Sequence, residues 1–195
     1  MHTARTEPET LEAKAIPLAT AVEAVLLTLD RPIKPERLAE GLFVVDADGL
    51  AAADRVLDAV EHLNRTYDET GRSFRIEQVA GGLRLMTRSD VAGVLSAFHG
   101  SRAATKLSRA GIETLAVIAY RQPITRAQLE AIRGVSCGEV LRTLIERRLV
   151  TVKGRAEELG RPMLYGTTKD FLEVFGLASL RDLPSPEDLA PASSE

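Results

Sequence analysis

Gln122-Pro-Ile-Thr-Arg-Ala-Gln-Leu129 repeats, in chemical outline, Arg31-Pro-Ile-Lys-Pro-Glu-Arg-Leu38, and each stretch follows a short, almost wholly apolar helix-forming segment. A recurrence of this kind within 195 residues points to two copies of one small module. The sequence around each copy says what the module is.

Around the first copy, residues 18–29 set Val22, Val25, Leu26 and Leu29 at helical spacing and leave Glu23 and Thr28 outside. After Pro32, Ile33 stands before a cap at Lys34. Pro35 takes the first helical position, where its missing N–H costs nothing, and Leu38 clasps Ile33, which predicts a short helix over 35–42. Asp46-Ala-Asp-Gly49 signals a turn, and residues 51–67 offer Val56, Leu57, Val60 and Leu63 to a core before Gly71. Residues 74–79 and 83–87 alternate on either side of Gly81-Gly82, the expected tight turn of a hairpin. Ser89 is placed to cap one more helix through Phe98, and 100–106 reads as a linker.

Around the second copy, Ser108 caps a helix whose interior, Leu115-Ala-Val-Ile-Ala-Tyr120, is apolar nearly all round, as for a helix covered on several sides. Thr125 and Gln128 form a capping box with Ile124 and Leu129 as its staple. Ser136 and Glu139 offer a second box for a helix over 137–148 with Val140, Leu141, Leu144 and Ile145 inward. Residues 149–153 and 163–167 predict two strands joined by a charged loop over 154–160, and Thr168 caps a last helix through Phe175. Three helices and a hairpin, twice, give the expected fold: mainly α with small β-hairpins, two tandem winged-helix domains. The expected divisions are a tail over 1–17, a domain over 18–99, the linker 100–106, a domain over 107–178 and a disordered tail over 179–195, marked by Pro184, Pro186 and Pro191.

Composition excludes several classes of function. The chain is 45% hydrophobic and 27% charged, and its apolar segments fall far short of the roughly 20 residues that cross a bilayer. Residues 1–15 lack the apolar core of a signal peptide, so the expected location is the cytoplasm. One cysteine, Cys137, leaves no intramolecular disulfide or cysteine-rich zinc site, and His2, His62 and His99 are far apart, so no metal is implied. No phosphate loop of the Gly-x-x-x-x-Gly-Lys-Ser/Thr type occurs, and no cluster of titratable groups suits an enzyme, so neither cofactor nor small-molecule substrate is expected. The net charge of −3 is uneven. Residues 18–100 carry 9 basic and 13 acidic side chains and residues 107–178 carry 11 and 8, so the second half is the one suited to nucleic acid.

Individual residues narrow the choice. Cys137 lies near a helix start, where the dipole favours a thiolate, but nothing accompanies it, and a small helix-start residue is the favoured reading. His62 lies beside core positions and His99 at a helix end, both ordinary places. The third helix of the second module shows Glu139, Arg142, Thr143, Glu146 and Arg147 outward. Arg142 and Arg147 have the chemistry to read guanine, yet the glutamates repel phosphates, so DNA binding there is weak and protein contact is preferred. Asp54, Asp58 and Glu61 on the first module's third helix argue for protein contact as well. In Gly160-Arg-Pro162, Arg161 opens an extended strand and Tyr165 presents a ring with a polar tip, a combination suited to a protein interface. A Tyr165 that closes the core beside a solvated Arg161 is an equal alternative.

The motifs also carry a resemblance. Leu107-Ser-Arg-Ala-Gly-Ile-Glu-Thr-Leu115, Ile118-Ala-Tyr-Arg-Gln-Pro-Ile-Thr-Arg126, Ile132-Arg-Gly-Val135, Leu141-Arg-Thr-Leu144 and Gly160-Arg-Pro-Met-Leu-Tyr-Gly-Thr-Thr168 come in the order of the segregation and condensation protein B family. Phe171-Leu-Glu-Val-Phe-Gly-Leu177 and Asp182-Leu-Pro184 come next, as in that family, and the first module resembles it by position and pattern. Gly111 departs from a good helix, weakening an early turn by about 1 kcal/mol relative to alanine.

The resemblance implies a non-enzymatic accessory subunit of the bacterial SMC complex, acting in chromosome condensation and segregation during cell division in association with the nucleoid. It further implies a homodimer, paired largely through the first domain, that binds the kleisin, segregation and condensation protein A. Contact with the SMC ATPase would be indirect, through the kleisin. Tyr120, Arg121, Arg133, Arg161 and Tyr165 would be kleisin contacts in the second module. The alternative is a winged-helix transcriptional regulator using Arg142 and Arg147, against which the pI near 5.7 speaks.

Overall fold

The structure is a computed structural model that describes residues 16–99 and 107–185. The expected linker 100–106, residues 1–15 and residues 186–195 lie outside the described residues.

The first core rests on three helices. α1 (Leu18–Leu27) buries Val22 and Leu26, one turn apart. α2 (Pro35–Gly41) starts behind Lys34 with proline in its first position and buries Leu38 and Ala39. α3 (Ala53–Glu69) buries Val56, Ala59, Val60, Leu63 and Tyr67, the stripe its spacing predicts. It starts two residues later than expected because Ala51 is drawn into a bridge with Val45, closed by Asp46, whose Oδ1 accepts the Asp48 and Leu50 N–H groups at 2.9 Å each. A hairpin of β1 (Phe74–Val79) and β2 (Gly82–Thr87) packs beside α3, tied by Asn64, which bonds both the N–H and the C=O of Ile76. Tyr67 donates to Glu23 at 2.8 Å and joins α3 to α1; burial, then the Glu23 carboxylate, pushes its phenol well above the ordinary value.

Two local expectations shift here. The hairpin turns on Ala80 and Gly81, both at positive φ (51° and 75°), a two-residue turn that matches the strand twist, rather than on Gly81-Gly82. Gly82 instead opens β2, where a Cβ would meet the Ile33 backbone at 3.0 Å, and the neighbouring Leu83 exchanges two backbone hydrogen bonds with Ile33. Ser89 does not cap a helix. It begins a 3-10 turn (Ser89–Val91) that runs into α4 (Ala92–His99), none of whose residues is buried.

The second core repeats the plan. α5 (Arg109–Arg121) is capped by Ser108, whose hydroxyl accepts the Gly111 N–H at 3.1 Å. A short β3 (Ile124–Thr125) leads into α6 (Arg126–Arg133), which starts at the expected Thr125–Gln128 capping box and ends at Gly134 with φ 69°. α7 (Gly138–Glu146), β4 (Val150–Arg155), β5 (Met163–Thr167) and α8 (Lys169–Phe175) complete the module, with Thr168 capping α8 as expected. The sheet runs β3-β5-β4, and Ile118, Leu129, Leu144 and Val150 lie almost wholly inside. The repeat extends to strand pairing: Ile124 pairs with Tyr165 as Ile33 pairs with Leu83, so each Pro-Ile segment adds a rung to the return strand of its hairpin.

Four readings of the second module are corrected. The Ser136–Glu139 box does not form. Cys137 is the N-cap without a side-chain cap, while Glu130 takes both the Ser136 hydroxyl and the Cys137 N–H, a carboxylate outcompeting a neutral hydroxyl. Ile145 faces outward, because α7 turns only its Leu141 and Leu144 edge fully inward. α5 is covered on one side alone, with Ile112, Ala116 and Tyr120 exposed. The tail expected from 179 is ordered as far as the described residues go: Ser179 and Asp182 form a capping box on a 3-10 turn (Leu180–Asp182), and Leu183 packs on the core.

Candidate protein-docking surface

The end of α5, β3 and the end of β5 are held together by Gln122. Its Oε1 accepts the Thr167 N–H at 2.8 Å, and its Nε2 lies 3.1 Å from the Ala119 carbonyl and 3.0 Å from the Thr167 hydroxyl. This clamp fixes where the α5 residues just before it stand relative to the sheet. Tyr120 is partly exposed and donates its hydroxyl to the Pro184 carbonyl at 2.7 Å, and Arg121 is exposed beside it. Ile112, Ala116 and Tyr120 are spaced by four and form one exposed, largely apolar stripe on α5.

A groove of about 230 Å³ opens between α7 and β5, lined by Arg126, Leu141, Arg142, Ile145, Glu146 and Tyr165. The Tyr165 ring packs against the core, and the residue also lines the groove. It pairs with Val152 across β4, and its hydroxyl lies 3.8 Å from the Met163 sulfur. Ile145, Val152 and Met163 are exposed, so apolar surface on α7 and both strands of the hairpin goes uncovered within this chain. The groove's cations are already matched: Arg126 to Glu130 and Arg142 to Glu146, each at 2.9 Å.

The remaining residues singled out in the sequence separate by role. Arg133 is turned inward, its side chain 12% exposed, and bonds Glu113 at 2.8 Å, so it braces α6 against α5. Glu113 is held below the ordinary carboxylate range first by Arg109 and then by Arg133. Arg161 is exposed at the head of β5 with φ 43°, its carbonyl accepting from Arg155 at 3.2 Å. Arg142 and Arg147 line different depressions, Arg142 the groove at β5 and Arg147 a cleft with Leu107 and Ser108. Five residues apart on a helix they point about 140° away from each other, so they do not form one reading face. Cys137 is buried, and burial followed by the Glu130 carboxylate pushes its thiol above the ordinary value. His62 and His99 are exposed.

The first module carries a surface the sequence reading passed over. In Leu42-Phe-Val-Val45 only Val44 is buried, while Phe43 stands 89% exposed at φ 56°, a left-handed conformation rare for a bulky residue. Val45 and Leu50 are exposed on the same bridged turn. An apolar run of four in a stretch too short for a helix was the available signal.

The profile of one family, Segregation and condensation complex subunit ScpB, matches residues 20–186. Segregation and condensation protein B of Syntrophotalea carbinolica is 41% identical over 187 residues, covering 96% of this chain and 88% of that protein. The protein of the same name from Moorella thermoacetica is 45% identical over 180 residues, 91% of this chain and 87% of its own. That from Halalkalibacterium halodurans is 40% identical over 178 residues, 90% and 87%.

Proposed function

The chain belongs to the family of the segregation and condensation complex subunit ScpB, and from that premise we propose that it works as a paired adaptor for the kleisin subunit of a bacterial SMC complex. Its part in chromosome segregation and condensation is then mechanical. Two rigid modules per chain hold a kleisin segment that is flexible when free, and so set how the ATPase heads are joined. The ATP chemistry lies in the SMC protein, reached only through the kleisin, and the complex carries the protein to the nucleoid.

The observation that carries this reading is the uncovered apolar surface on α5, α7 and the second hairpin, beside which the groove cations Arg126 and Arg142 are already paired. A segment laid in the groove gains apolar burial without stranding either of those two charges, the composition of a protein interface core. Tyr120, Arg121, Arg161 and Tyr165 belong to this surface, and Arg133 supports it from behind. Pairing of two chains falls to the first module, where Phe43, Val45 and Leu50 supply exposed apolar area. No observation favours the DNA-reading alternative, since Arg142 and Arg147 diverge.

The test is binding of the purified kleisin to an Arg121→Ala, Arg161→Ala double variant. Affinity falls about tenfold, in the range of two interface residues of moderate weight, while urea unfolding is unchanged. Wild-type affinity removes these residues from the contact. Tyr165 is a poor probe, because shortening it also opens the core.

A further inference from the structure

The tip of the first hairpin touches the second module. Ala80 and Gly81 make the two-residue turn between β1 and β2, and the Ala80 N–H, which such a turn leaves without a partner in its own hairpin, donates to the Leu177 carbonyl at 2.8 Å. Local structure fixes both ends of this bond. The turn is set by the positive φ of Ala80 and Gly81, and past α8 Gly176, at φ 66°, brings the Leu177 N–H back to the Leu172 carbonyl at 2.9 Å.

Charge stands on either side of the contact. Four residues on from Ala80 and four before Leu177, Arg84 and Glu173 line one cleft of about 330 Å³, in which Asp30, Arg31 and Arg84 of the first module meet Asp170, Glu173 and Val174 of the second. The second wall is acidic, while on the first two arginines outweigh Asp30. Among the described residues, Arg31, Arg84, Asp170 and Glu173 belong to no ion pair, so the opposite charges attract across the cleft without touching. The two buried clusters remain separate, and the modules share no core.

We propose that this contact is a two-state joint: the first wing tip seats on the end of α8, drawn in by the attraction of Arg31 and Arg84 for Asp170 and Glu173, and comes free when that attraction is screened. One exposed hydrogen bond and a few surface charges contribute little each. Because the modules are one chain, however, they need not find one another, and a weak contact populates the closed arm without locking it. Ionic strength moves the balance, since the screening length falls from about 30 Å at 0.01 M to about 3 Å at 1 M. Closed, the joint fixes the angle between the module proposed for pairing and the one proposed for the kleisin. That use rests on the proposed function; the joint does not.

Hydrogen exchange of the Ala80 amide in the full chain reads the joint, because that N–H is bonded only while the tip is seated. The Leu83 amide, bonded to the Ile33 carbonyl at 2.7 Å within the first module, reports that the hairpin is intact. Raising salt from about 0.01 M to about 1 M lowers Ala80 protection about threefold to tenfold, the size of a few weak surface interactions, and leaves Leu83 unchanged. Asp170→Asn with Glu173→Gln lowers it equally and removes the salt dependence. Arg31→Gln with Arg84→Gln does the same, and all four changes together do no more than either pair, as for groups that act on each other. Ala80 protection indifferent to salt overturns the proposal, and so do losses that add across the four changes. Protection that rises with protein concentration also overturns it, since the tip then seats on a second copy. The expected Ala80 behaviour in a chain that does not bind the kleisin upholds the joint and removes only its proposed use.

Discussion

Gln122 and Thr167, 45 residues apart, are joined by a side-chain amide that accepts the Thr167 N–H at 2.8 Å and meets its hydroxyl at 3.0 Å. Thr167 is 4% exposed, so these groups have no water to fall back on. Replacing Gln122 by alanine should lower stability by about 1–3 kcal/mol, the cost of leaving buried polar groups unpaired, read as a drop in urea midpoint. An unchanged midpoint would mean that β3 and β5 hold without the clamp.

In the first module the corresponding joint is steric. Gly82→Ala places a Cβ at 3.0 Å from the Ile33 backbone, and nothing there is a flexible side-chain tip. The hairpin must move away from Ile33 and strain its two hydrogen bonds, at a cost of about 1–3 kcal/mol by analogy with overpacking. Thermal unfolding of the variant checks it, with Gly93→Ala, which meets nothing within 4 Å, as the control.

Glu130 gives the second module an acid-sensitive joint. The Cys137 N–H, then Arg126, hold its carboxyl below the ordinary range. Because the folded value is depressed, the stabilisation is complete above the unfolded value of about 4.3 and is lost as pH falls through the folded one. Glu130→Gln should therefore be less stable than the parent at pH 7, with the gap narrowing below pH 4. A gap independent of pH would show that the charge contributes nothing.

Arg133 and Arg121 should behave oppositely. Arg133→Ala removes a largely buried partner of Glu113 and lowers stability by about 1–2 kcal/mol, as for a hydrogen bond to a charged group. Arg121→Ala leaves unfolding unchanged and weakens kleisin binding. Reversed outcomes would exchange the two roles.

How far the sequence could be read depended on the range of the interactions. Short-range signals were sufficient for Ser108, for the Thr125–Gln128 box and for Pro35, because a cap and its helix lie within four residues. They failed wherever a distant group competed. Glu130 takes the donors that Ser136 was expected to organise, and the approach of Ile33 decides that Gly82 belongs to a strand and not a turn. β3 was invisible because two residues carry no period. The candidate docking surface was half legible: Arg161 and Tyr165 stood out by type, Tyr120, Arg121 and Arg133 came through the family resemblance, and only packing separates Arg133, a brace, from Arg121, an exposed neighbour.

The central claim is that this chain pairs with itself and, as a pair, holds the kleisin. Calorimetric titration of the purified protein with the cognate kleisin tests it most directly, because heat and stoichiometry arrive together. Saturable binding near two of these chains per kleisin is the expected result. A folded protein that gives no heat, or one that saturates at one chain per kleisin while remaining a monomer, would contradict it.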